Sequence, residues 1–99
     1  MAYEGGDFDA TLAAAAGNDP ELHAELRRAF IDSVAKQVDL LGRARCDGNW
    51  AVAAMRLKGL AASFQAEELL GLSENALDAA PGEPTVVRAL QRFVADFAA

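Results

Sequence analysis

Ninety-nine residues with 53% hydrophobic side chains make one folded domain, residues 1–99, not a disordered chain. Fifteen acidic residues against nine basic ones leave a net charge of -6, which argues against nucleic acid and disfavours an anionic membrane surface as partners. Cys46 is the single cysteine, so an intrachain disulfide framework and a cysteine-based zinc site are excluded and a cytoplasmic location is expected.

The N-terminal stretch MAYEGGDFDATLAAAAGNDPE has no basic region ahead of an apolar run, so it lacks the pattern of a secretory signal. Gly5-Gly6 ends a loose N-terminus, and Phe8 to Ala16 reads as a short helix over 8–16. Gly17-Asn18-Asp19-Pro20 then reads as a helix stop and a new start. Asp19 is placed to cap the next helix, with Pro20 at the first helical position, where its missing N–H is not needed.

The second helix is expected over 20–45, with Leu22, Leu26, Ala29, Phe30, Leu40, Leu41 and Ala44 as its apolar stripe, interrupted by Ser33 and Gln37. Asp47-Gly48-Asn49 is read as the break after it. The third helix, 49–64, has a well-formed stripe of Trp50, Ala53, Ala54, Leu57, Leu60, Ala61 and Phe64. A fourth, 66–80, carries Leu69, Leu70, Leu72, Ala76 and Leu77. Pro81-Gly82-Glu83-Pro84 punctuates, and a fifth, 84–98, carries Val86, Val87, Leu90, Phe93, Val94 and Phe97. No segment alternates with period two. The expected fold is all-α, an antiparallel four-helix bundle with a short N-terminal capping helix.

The third helix is unusual on the side away from its stripe. That side holds Ala51, Val52, Met55, Gly59, Ala62 and Ser63, bordered by Arg56 and Lys58. An ordinary solvent face would carry Glu, Lys and Gln. Gly59 inside a helix costs about 1 kcal/mol relative to alanine. Two explanations stand: the face is covered by the short N-terminal helix, or it is a docking surface in which Gly59 leaves room beside Met55.

The stretch MRLKGLAASFQAEEL resembles the signature of histidine-containing phosphotransfer (Hpt) domains of bacterial two-component phosphorelays, in which His-x-Leu-Lys-Gly is followed by small residues. The upstream DPELHAELRRAFIDSVAKQVDLLGRARCDGNW is similar to the long helix and tryptophan-bearing turn that precede it in that family. The resemblance implies a four-helix bundle with a capping helix, and docking to a response-regulator receiver domain or a hybrid histidine kinase. It also implies the motif residues Leu57, Lys58 and Gly59, and a partner-binding set of Val52, Met55, Arg56, Lys58, Gly59 and Ala62. The lysine would balance phosphoryl charge and the glycine would leave room for the receiver.

Met55 stands where the family has its phosphoacceptor histidine, and Gln65 stands where a glycine is usual. A thioether has no lone-pair nitrogen to take a phosphoryl group. The chain is therefore expected to be either a divergent Hpt-like domain that docks without transfer, or an Hpt domain whose histidine was replaced. The alternative function is a helical adaptor bundle with a non-receiver protein partner. No enzyme is expected, because there is no phosphate loop and no nucleophile elbow around Ser33, Ser63 or Ser73. No metal or cofactor is expected either. His23, the one histidine, reads as a surface or bundle-edge residue, and Glu67-Glu68 as favouring a helix N-terminus. A monomer is expected.

Overall fold

The computed structural model describes residues 6–98, which form five α-helices and no strand. They are α1 (Gly6–Ala16), α2 (Pro20–Gly42), α3 (Asp47–Phe64), α4 (Glu67–Asp78) and α5 (Pro84–Ala98). Gly5 lies outside the described residues, and Gly6 is the first residue of α1 rather than part of a loose end. None of these helices is long and apolar enough to cross a membrane.

The punctuation works locally as its chemistry dictates. Gly17 and Asn18 both take left-handed backbone, which ends α1. The Asp19 carboxylate accepts from the Glu21 and Leu22 N–H groups at the start of α2, and Pro20 follows it. The break after α2 lies at residues 43–46, earlier than Asp47-Gly48-Asn49. Arg43 turns its backbone N–H back onto the Asp39 and Leu40 carbonyls, and Cys46 is extended and caps α3. Asp47, Gly48 and Asn49 instead make the first turn of α3. An acidic residue is favoured there by the helix dipole, and the N–H groups of that turn have no intrahelical partner to lose.

In contact terms α2 packs on α3 and α5, α4 packs on α3 and α5, and α1 packs on α2 and α3. The stripes of α3 and α5 turn inward as their spacing predicts. Trp50, Ala53, Ala54, Leu57 and Ala61 are buried from α3, and Leu90, Phe93 and Phe97 from α5. Leu60 and Phe64 are packed against the core but only partly buried. The indole Nε1 of Trp50 donates to the buried Ala76 carbonyl of α4 at 2.9 Å. Ser73 is also buried on α4, where its hydroxyl donates to the Leu69 carbonyl at 2.7 Å, one turn back in the same helix.

The stripe of α2 requires correction. Its buried residues are Phe30, Val34, Val38 and Leu41, while Leu22, Ala29 and Leu40 are exposed. Phe30, Val34 and Val38 recur every four residues and Leu41 closes the row. Leu40 is turned about 100° from Leu41 along the helix, and Leu22, about five whole turns earlier, shares its edge. Counting the larger leucines as core placed the stripe too far round.

The aromatic residues gather at one end. The Phe8 ring of α1 lies 4.9 Å from Phe30, 5.4 Å from Phe97 and 6.4 Å from Phe64, centroid to centroid. Arg27 lays its guanidinium over the Phe97 ring at 4.2 Å and donates to the Phe97 carbonyl. Helix α1 therefore covers the end where α3 and α5 finish, and its buried residues Phe8, Leu12 and Ala16 point there. It does not cover the outer face of α3.

Candidate functional site

That outer face is open along its length. Ala51, Val52, Met55, Gly59, Ala62 and Ser63 are all exposed. Met55 is 56% exposed and Val52 47%, the highest values among the large hydrophobic residues. The cause is helical phase: Met55 lies roughly 160° around the helix from the fully buried Leu57. This removes the explanation in which the N-terminal helix covers the face.

Gly59 sits one turn beyond Met55. A Cβ built on it would meet nothing within 4 Å, and its backbone is ordinary helix. Nothing within the described residues therefore calls for glycine at 59. The conformational looseness it brings to the helix is offset by no packing gain inside the chain. The C-terminal end of the same helix is different. Gln65 caps α3 in left-handed backbone, φ +54°, where glycine is preferred, and the Ala66 N–H closes the turn onto the Ala61 carbonyl at 2.8 Å. The replacement of glycine by Gln65 leaves the helix end where the sequence placed it, at the cost of a strained φ.

The face continues onto α2. A groove between the two helices is lined by Gln37 and Leu40 from α2, by Arg43 and Ala44 just beyond its end, and by Asn49, Val52, Ala53 and Arg56 from α3. A second groove, further along the same seam, is lined by Ser33, Gln37, Arg56, Gly59, Leu60, Ser63 and Phe64. Leu40, 41% exposed, joins Val52 and Met55 to make an apolar surface shared by α2 and α3. Each is already about half buried, so a partner that covers the remainder gains about 1 kcal/mol per side chain.

Charge surrounds this surface unevenly. Lys58 Nζ stands 3.9 Å from Glu74 Oε2 of α4, an exposed pair, and Arg43 Nη1, just past the end of α2, stands 3.1 Å from Asp39 Oδ2. Arg56 is exposed, with no ion pair or hydrogen bond among the described residues. Gln37 is half-buried at the seam, and its Oε1 is buried with no hydrogen-bond partner among the described residues.

The arrangement brings together all six residues expected to bind a partner: Val52, Met55, Arg56, Lys58, Gly59 and Ala62 lie on or beside one face. Sequence reasoning missed Leu40, Gln37 and Glu74. The phase of Leu40, one residue off the Phe30–Val34–Val38 row, was the available signal. The Lys58–Glu74 approach depends on how α3 and α4 pack and had none. Cys46 is exposed at the cap of α3, and His23 is partly exposed in the first turn of α2, away from the face. No cluster of metal-ligating side chains occurs among the described residues. The face offers apolar area, open space and positive charge, which suits protein docking. No family model, curated protein or solved structure matches the chain.

Proposed function

We propose that the chain is an Hpt-like domain of two-component signalling, in which α2 to α5 form an antiparallel four-helix bundle and α1 its short cap. It docks receiver domains, or the receiver-bearing part of a hybrid histidine kinase, through the face around Met55, Lys58 and Gly59. It holds no phosphoryl group at that face, because Met55 supplies no nitrogen to carry one. In this reading it works in the cytoplasm as a monomer.

One observation carries the reading. Leu57-Lys58-Gly59 sits in the middle of α3 with Leu57 wholly buried, Gly59 open and Met55 exposed one turn before it. That is the placement the family signature requires of a docking helix, and nothing among the described residues packs against the glycine. The cyclic packing of α2, α3, α4 and α5 supports the bundle, and the Phe8 cluster supports α1 as its cap.

The test is titration of the chain with isolated receiver domains, followed by two variants. Gly59→Leu fills the open space beside Met55 and should abolish docking. Lys58→Glu places a second carboxylate beside Glu74, facing an acidic partner surface, and should weaken it, mostly through slower encounter. Both variants should fold, since neither position is buried. Unchanged affinity in both places the interface elsewhere. No binding to any receiver leaves the helical adaptor as the reading to pursue.

A further inference from the structure

We propose that Arg56, rather than Lys58, is the electrostatic anchor of this face, and that it takes a carboxylate of an acidic partner surface whose apolar side chains lie against Val52 and Leu40. The inference rests on the docking reading and deepens it by stating which cation reads the partner and what chemistry it reads.

Three cations border the face, and two are already matched. Arg43 lies 3.1 Å from Asp39, and Lys58 lies 3.9 Å from Glu74. Each matched pair is close to neutral from a distance, so it adds little to the field met by an approaching anion. Arg56 has no carboxylate within pairing distance and no hydrogen bond among the described residues. It therefore supplies the unbalanced positive charge of the face. It also stands where the two interhelical grooves meet, lining both. Its guanidinium offers five N–H donors in a planar fork that fits a carboxylate through two parallel hydrogen bonds.

A second observation singles out the same spot. Gln37 lines both grooves as well, and its buried Oε1 lacks a donor. A buried acceptor left unmatched is unfavourable, so the seam is unsatisfied in the free chain. Beside this polar spot lie the exposed apolar side chains of Val52 and Leu40, 47% and 41% exposed. The complementary surface is a carboxylate flanked by an apolar side chain.

The experiment is calorimetric titration of the whole chain with a purified receiver domain that binds it, at two salt concentrations. Arg56→Gln should weaken binding tenfold or more and flatten the salt dependence, with Arg56→Lys recovering part of the loss. The double variant Lys58→Gln with Glu74→Gln removes both ends of an existing pair and should weaken binding by clearly less than Arg56→Gln does. Circular dichroism confirms that each variant folds. Arg56→Gln binding within threefold of the unmodified chain, or the double variant losing as much as Arg56→Gln, overturns the anchor and leaves the docking reading intact. If no receiver binds the unmodified chain, the docking reading falls and the anchor with it.

Discussion

Replacing Gly59 by alanine separates what the fold needs from what docking needs. Glycine in a helix interior is about 1 kcal/mol less favourable than alanine, because its backbone loses more freedom on folding. At most sites steric conflict or lost backbone strain relief cancels part of that gain. Here the backbone is ordinary helix and an added Cβ meets no atom within 4 Å, so nothing offsets it. Gly59→Ala should therefore raise unfolding free energy by about 0.5–1 kcal/mol. For a domain of this size that corresponds to a melting temperature higher by roughly 2–8 °C. Urea denaturation followed through Trp50, the sole tryptophan, reads the change directly. Gly71, in α4, is also exposed with open space at its Cβ position, and Gly71→Ala should show a gain of the same size. The two should part company in binding, where only Gly59→Ala encroaches on the space beside Met55. A loss of stability in Gly59→Ala would show that glycine is required by the fold and would remove the argument that it is kept for a partner.

Leu57 is completely buried at the centre of the α3 stripe, so Leu57→Ala should cost about 2–5 kcal/mol in denaturant unfolding; a change near zero would mean the phase of α3 is wrong. Gln65→Gly should gain about 1 kcal/mol by relieving the left-handed backbone at the end of α3, and a loss there would show that the glutamine side chain holds the turn. Glu83 is held below its ordinary value of 4.5, chiefly by the hydrogen bond from the Thr85 backbone N–H and next by that from the Thr85 hydroxyl. The folded state thus favours its charged form, so its contribution is present above pH 4.5 and is lost as the pH falls through the lowered value. Glu83→Gln should therefore make stability less sensitive to acid below pH 4.5, measured as denaturation midpoints across that range; identical acid limbs would show that the two Thr85 hydrogen bonds do not favour the charged carboxylate.

Much of this was legible in the residues. Asp19-Pro20 marks a helix start through two independent effects, a side-chain acceptor and a missing N–H, and both operate. The outer face of α3 follows from its period alone, because a stripe so uniformly apolar fixes the phase of every other residue in the helix. In α2 the signal was divided. Leu22 and Leu40 are as apolar as the residues that are buried, and only the finer Val34–Val38 spacing places the core correctly. The second helix's contribution to the apolar surface beside α3 was hidden for the same reason, since Leu40 cannot be both core and surface. The start of α3 was misplaced because Asp47, Gly48 and Asn49 are turn formers, yet each is acceptable in a first helical turn. The Lys58–Glu74 approach, and the grooves that Gln37 and Arg56 both line, depend on how separate helices pack, which no local pattern encodes.

The central claim is that the Met55 face is a receiver-docking surface lacking only a phosphoryl acceptor. The most direct measurement is phosphoryl transfer from a labelled, phosphorylated receiver that binds the chain, with the modified residue mapped by mass. The unmodified chain should take no label, at His23 or elsewhere. Met55→His should fold normally, since position 55 is exposed, and should gain acid-labile label at that residue, where Lys58 stands close enough in the helix to balance the added charge. Label on the unmodified chain would contradict the account, and so would an unlabelled Met55→His that still binds the receiver.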